Sequence, residues 1–304
     1  MTDLPDTIVD AHHHLWNPAS NDPDVGYVWL RAIGAAKPFG DPTPIQRDYL
    51  LDEFRTEPGP ARIMASVHVQ ADGAIADPVA ETRFIQTISN AAGFPIAIVG
   101  FVDLAGDAAE ETLRRHKAHA GFRGVRQILS RLGDRPDLSF APEHYLDNER
   151  WRARFGLLAE HGLSFDLQLY PEQMHAAAEF LARHPQVPVV IDHAGSPYDQ
   201  SADGLAVWRD GMAALASLPN TAVKLSGFGM FDAAWTAVSV RPLVETLNEL
   251  FGYDRILFGS NFPVDKLMRT YPDILADIAA LYAEQSPAVR DAVFSVNARR
   301  LYRI

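Results

Sequence analysis

Short apolar runs recur along this chain, and between them lie stretches whose apolar positions repeat with helical spacing. Ile8 and Val9 end the first run. Arg62 to Gln70, Pro95 to Val102, Phe122 to Gln127, Leu163 to Leu169, Val187 to Asp192, Thr221 to Leu225 and Arg255 to Phe258 read as further strands. Between and after them the periodicity predicts helices over 78–92, from Ala108 to His119, from Asn148 and Trp151 onward, from Glu172 to Arg183, around Trp208 to Leu215, from Val240 to Leu250, and two at the close. Alternating strands and helices imply a parallel sheet, and eight such units in 304 residues imply an α/β fold closed as a (β/α)8 TIM barrel, one domain over 1–304. An open doubly wound sheet is the competitor, but it usually carries a Gly-rich phosphate loop after the first strand, and none is present. Two stretches break the rhythm. Residues 17–44, with Tyr27, Trp29 and Phe39 among many Pro, Gly and Asn, and the polar insertion 129–147 are both expected at the barrel mouth.

In such a barrel the chemistry sits at the C-terminal ends of the strands, so the residues that end each apolar run carry the information. The first run issues Asp10, His12 and His14 at every second position. Alternation along an extended segment points His12 and His14 to one side and His13 away, a pair of imidazoles suited to a cation, an oxyanion or a proton. The other ends supply His68 and Gln70, Arg126 and Gln127, Gln168 and Tyr170, Asp192 and His193, Lys224 and Ser226, and Ser260 and Asn261. His193 ends an apolar run directly before a small-residue turn, which favours a site role over a buried structural one. Arg126 is expected to point inward, where its fork would grip a carboxylate with two bonds. One of His68 and Gln70 is expected to face the pocket, and Lys224 needs a buried partner whatever its role. His116, His119, His161 and His184 fall on helices or helix ends and read as surface residues.

Composition narrows the chemistry. With no cysteine, disulfides, thiolate metal sites and a Cys nucleophile are excluded, leaving His, Asp, Glu and water. A formal charge of -12 argues against nucleic acid as a partner. No apolar run reaches the roughly 18 residues of a membrane span, and the acidic start lacks the features of a secretion signal. A cytoplasmic protein is therefore expected, with no membrane partner and with a homo-oligomer allowed, and the charge does not exclude a small anionic substrate held by a few local Arg.

Together, Asp10-Ala11-His12-His13-His14, Asp192-His193-Ala194-Gly195 and Leu257-Phe258-Gly259-Ser260-Asn261-Phe262-Pro263 resemble the amidohydrolase superfamily, and more narrowly its amidohydrolase-related branch of lactonases and some decarboxylases. The closing Asn297-Ala298-Arg299-Arg300-Leu301-Tyr302 is similar to that branch as well. The resemblance implies a metal-dependent hydrolase that opens a sugar lactone or a carboxylated muconolactone- or pyrone-type lactone by water attack. It implies His12, His14 and His193 as ligands of one divalent cation, zinc before others, with metal-free operation as the alternative. The eighth-strand position, a carboxylate base in the family, is Asn261 here, and an amide has no useful basicity. Asp265, four residues on, is the expected displaced base, or else caps the next turn. Trp16, His68, Gln70, Arg126, Gln127, Gln168 and Tyr170 are the expected substrate contacts. A decarboxylase on the same barrel and a binding protein lacking turnover are the rival readings. The enzymatic readings require His193 to lie within about 10 Å of His12 and His14, the reach of one bridging water or ion.

Overall fold

The computed structural model describes residues 7–21, 26–35 and 37–304. Its eight strands are β1 (Ile8–His13), β2 (Ile63–Val69), β3 (Ile96–Gly100), β4 (Phe122–Arg126), β5 (Ser164–Leu167), β6 (Val189–Ile191), β7 (Thr221–Leu225) and β8 (Ile256–Phe258). They pair in chain order, every pair parallel. Past the end of β8 the chain returns to β1, where Asn261 N donates to His12 O at 2.7 Å and His14 N donates to Phe262 O at 2.7 Å. Those two bonds close the barrel at its mouth, the end where the expected site residues lie.

The helices form where apolar spacing and capping agree. Pro78–Ala92 starts with Asp77 accepting from Val79 N and stops at Gly93 in the left-handed region. Ala202–Ala216 starts with Ser201 accepting from Gly204 N and is longer than the periodicity around Trp208 indicates. Each strand thus presents one face to an outer helical layer and the other to the barrel interior. The interior is filled by small residues, among them Val9, Ala65, Ala97 and Ala222, in the N-terminal parts of their strands. Tyr302, from the C-terminal helix Asn297–Tyr302, packs among them and closes that end. With the interior packed there, the space left for a ligand is at the mouth, and both irregular stretches reach it. Within the first, the short helix Val28–Arg31 and the 3-10 turn Thr43–Ile45 give the connection structure of its own.

Candidate active site

The imidazoles of β1 are set apart by a kink in the strand. Between Asp10 and His13 the ladder advances three residues on β1 and two on β2, from Ser66 to His68, which is the count of a β-bulge. Asp10 consequently leaves the face of its two successors. Its carboxylate accepts from His12 N and Ser260 N, both at 3.0 Å, from Ser260 Oγ at 2.6 Å and from Tyr271 OH at 2.9 Å, so it staples β1 to the end of β8. His13 also turns away, stacked on Phe54 and bonded to Ser66 Oγ at 2.8 Å. His12 and His14 face inward with ring centroids 5.1 Å apart. His14 Nδ1 lies 2.7 Å from Val69 O, and a carbonyl only accepts, so Nδ1 carries the proton and Nε2 is left as a lone pair.

From the opposite side come Asp192 and His193, which follow directly on β6. The His193 ring lies 4.6 Å from that of His12, meeting the convergence that the sequence reading requires. It is carried by a turn in which His193, Ala194, Gly195 and Ser196 all have positive φ, a costly run of the kind that persists where the surroundings over-determine it. The neighbouring strand must then come close. A Cβ on Gly227, itself at φ +67°, would stand 2.4 Å from His193 Nδ1, and one on Gly259 would stand 2.8 Å from His12 Cβ. Only glycine at these two positions lets the ends of β7 and β8 pass the imidazoles.

Beneath the pair runs a buried polar ladder. Tyr302 OH donates to Asp166 at 3.0 Å, Lys224 Nζ bridges Asp166 and Asp192, the latter at 2.9 Å, and Asp192 Oδ1 lies 3.2 Å from His12 Nδ1. Burial opposes charge on Asp192, yet Lys224 and His12 pull it well below the usual carboxylate range, whereas burial raises Asp166 to about 6 despite Lys224. Lys224 Nζ also lies 3.2 Å from His12 Nδ1, but its ammonium has the carboxylates of Asp166 and Asp192 as acceptors, so Nδ1 donates to the ionised Asp192 and Nε2 of that ring is left bare. Burial also depresses all three imidazoles, His193 to about 3, so they are neutral with lone pairs available at neutral pH.

This donor set suits a divalent cation. His12, Asp192 and His193 each offer a ligand atom within 4.8 Å of the others, and His12 Nε2 and Asp192 Oδ2 are buried without a hydrogen-bond partner. Two neutral nitrogens and a carboxylate oxygen match the preferences of zinc. The grouping differs from the expected His12, His14 and His193. Asp192 replaces His14, because the chain turns at His193, φ +53°, and so brings the side chains of two consecutive residues to the same point.

Above lies a cavity of about 380 Å³, whose lining includes His14, Gln70, Arg126, Gln168, His193 and Asn261. Trp16 lines it too, with Trp29 and Phe39 from the first irregular stretch and Phe140 and Tyr145 from the second, whereas Tyr27 does not. Several expected substrate contacts turn out to be occupied by the protein itself. Arg126 donates through one terminal nitrogen to Gln168 Oε1 at 3.0 Å, that nitrogen lying 3.6 Å from Asp192 Oδ2, and through the other to Gln70 O. Its Nε is the one nitrogen without a partner, so both terminal nitrogens are shared with the protein and not free to grip a carboxylate alone. Gln127 accepts from Leu104 N and Trp151 Nε1 and donates to Asp103. His68 lies outside the cavity lining, taking the Leu15 N–H on Nδ1 and therefore donating from Nε2 to Glu81. Tyr170 faces a second hollow and donates to Leu138 O at 2.6 Å.

Asn261, at φ +57°, donates from Nδ2 to Asp265 Oδ1 at 2.8 Å. Asp265 is buried behind it, outside the cavity lining, and burial raises it to about 7 against the bonds from Asn261 and Gly229. With its amide hydrogens turned to Asp265, Asn261 shows the cavity its carbonyl oxygen. His116 departs from expectation as well, since it is buried between Thr82 Oγ1 and Phe101 O at 2.9 and 3.0 Å. Lys224 and Asp166 were the hardest to foresee, because their partners are fixed only when strands distant in sequence meet.

A sequence model of the family described as Amidohydrolase matches residues 9–304. The uncharacterised protein y4mH of Sinorhizobium fredii is 35% identical, each chain covered in full. L-fucono-1,5-lactonase of Burkholderia ambifaria is 29% identical over 97% of this chain and 95% of its own. Among solved structures, a Burkholderia multivorans amidohydrolase with bound zinc superposes with a TM-score of 0.79 at 25% identity, over 98% of this chain and 99% of the other.

Proposed function

Because the chain belongs to the amidohydrolase family, we propose that it is a hydrolase that opens a lactone by water attack at the mouth of its barrel. The observation that carries this reading is the convergence of His12, His193 and Asp192, with unpartnered buried atoms, under a cavity that His14 and Asn261 also line. The L-fucono-1,5-lactonase relatives, 28 to 29% identical over nearly the whole chain, support the reaction class.

A lactone needs a water held in line, a polarised carbonyl and a proton for the departing alkoxide. His14 is our assignment for the proton carrier. Its Nε2 lone pair is fixed by the Nδ1 bond to Val69 O, so it takes a proton from the attacking water as the water oxygen bonds to the carbonyl carbon. The ring C–O bond then breaks, and His14 returns that proton to the alkoxide. Asn261 accepts the water's second hydrogen through Oδ1, and Asp265, behind it, positions the amide rather than acting as the base itself. Arg126 Nε is a donor for the carbonyl side. His12, Asp192 and His193 would hold a divalent cation, zinc by their chemistry, which when bound supplies further polarisation of the carbonyl.

The test is a lactone panel read with a pH indicator, on wild type and His193→Ala. Proton release by wild type and a loss of roughly 100-fold or more in the variant are expected, the scale seen when a polarising group is removed. Failure to open any lactone, or turnover unchanged in the variant, would overturn the reading.

A further inference from the structure

The walls of the cavity differ in kind from its floor. Trp16, Trp29, Phe39, Phe101, Phe140 and Tyr145 stand around it. Trp29 sits edge-on to both Trp16 and Phe39, at 5.5 and 6.3 Å, forming a continuous aromatic side. Three polar side chains among these rings are engaged by the protein. Asp72 accepts from Ala74 N and Trp29 N, Gln127 has its amide in three bonds, and the ammonium of Lys37 lies 5.5 Å over the Trp29 ring. Trp29 Nε1 donates to Ala71 O. Among the described residues of the lining, the buried side-chain atoms without a partner are Trp16 Nε1, Gln70 Oε1 and Arg126 Nε. With His14 and Asn261 they serve one ester group and one water. The other polar side chains of the lining that could meet the hydroxyls of a sugar ring, Lys37, Tyr145 and Gln168 among them, are few beside the aromatic wall.

We propose that this site selects lactones carrying an apolar substituent, an alkyl chain or an aryl ring, over polyhydroxylated lactones of the same ring size. The inference rests on the lactonase reading for its kinetics and on the cavity alone for its binding preference. A hydroxyl buried against these rings without a partner loses its water, whereas each methylene seated there leaves water.

Two measurements on the full chain test the proposal. The first compares kcat/KM for δ-lactones bearing methyl, propyl and pentyl groups and for a phenyl-substituted δ-lactone with that for L-fucono-1,5-lactone. A rise of about fourfold per methylene until the cavity is filled is expected, with the fucono lactone slower by about tenfold per unpaired hydroxyl. Phe140→Ser is expected to narrow the ratio between the two classes, which partial misfolding, lowering both alike, would not do. The second titrates tryptophan fluorescence with tetrahydropyrans bearing the same substituents, which have no bond to hydrolyse, against a free pyranose sugar. If no lactone is opened but the substituted tetrahydropyrans bind more tightly, the lactonase reading falls and the wall's selectivity stands. Faster opening of the fucono lactone, or tighter binding of the sugar, overturns the proposal.

Discussion

A carboxyl that never touches the substrate can still govern an amide that does. Asp265 holds the Asn261 amide by Nδ2, and burial raises it to about 7, so its charge is lost near neutrality. As a carboxylate it can only accept, which directs the Asn261 oxygen into the cavity. Once protonated it can donate to that oxygen instead, and the amide then presents hydrogens where the water must be held. The active form is therefore the deprotonated one, present above the raised pKa and lost as pH falls through it. In pH–rate profiles kcat/KM should fall toward acid with an apparent midpoint near 7, and Asp265→Asn should flatten that limb while lowering the plateau about tenfold. A midpoint at 7 that survives in the variant would assign the titration elsewhere. A related expectation concerns Asn261→Asp. Two carboxyls 2.8 Å apart share one proton, so this change should gain rate only when combined with Asp265→Asn, as a double-mutant comparison of kcat would show. His12, His14 and His193 were legible in sequence because a polar residue ending an apolar run is conspicuous. Whether Arg126, Gln127 and His68 face ligand or protein was not, because Gln168, Trp151 and Glu81 reach them only through the tertiary fold.

At the scale of elements, the site depends on strand ends that pass unusually close. β7 ends in Leu225 and runs through Ser226 to Gly227, whose backbone lies against the His193 ring. Gly227→Ala would place a methyl 2.4 Å from Nδ1 at a φ of +67° that L residues resist. Overlap and backbone strain together should lower stability by about 1 to 3 kcal/mol and displace the imidazole. Because the displaced ring is a candidate ligand, kcat and zinc affinity should fall together, by at least about tenfold for a misplacement on the scale of 1 Å. Denaturant unfolding beside zinc titration of the apoprotein separates the two effects; unchanged zinc affinity would remove His193 from the ligand set. The strands themselves were readable, since buried parallel strands are near-continuous apolar runs. The bulge between Asp10 and His13 was not, as one extra residue in a ladder leaves no mark in an apolar pattern. Asp10, issued in the same every-second-position series as His12 and His14, instead staples β1 to Ser260 and Tyr271.

For the whole molecule, eight alternations of strand and helix made the barrel legible before any contact was known, because closure follows from count and connectivity. What no pattern shows is how much ionisable chemistry the closed barrel buries, and this sets its response to pH. Six buried imidazoles, those of His12, His13, His14, His68, His116 and His193, are lowered by desolvation, His68 and His193 to about 3 and His116 to about 4. Unfolding lets them take protons below about 6.5, so their contribution to stability is present above that pH and lost as pH falls toward their folded values. Four buried carboxyls act in the opposite sense. Asp10 is raised, Asp166 to about 6, Asp265 to about 7 and Glu81 to about 8, so each disfavours the folded state increasingly as pH rises from the unfolded value to the folded one. Between about 4.5 and 6.5 the imidazoles outnumber the carboxyls and the unfolded chain binds more protons, so stability climbs with pH. Above about 6.5 the imidazoles no longer titrate on unfolding while Asp265 and Glu81 still release protons, so stability declines until about pH 8. Thermal unfolding of chelator-treated protein should therefore peak near pH 6.5, with Tm several degrees lower at pH 5, since each net proton is worth about 1.4 kcal/mol per pH unit. The zinc ligands of the folded state are already deprotonated at pH 5, so adding zinc should raise Tm by a similar amount at pH 5 and at pH 7. A Tm that is flat or rises toward acid in the chelated protein would mean that these imidazoles do not sit neutral in the closed barrel, and with that the lone pairs assigned to His12, His14 and His193 would have to be given up.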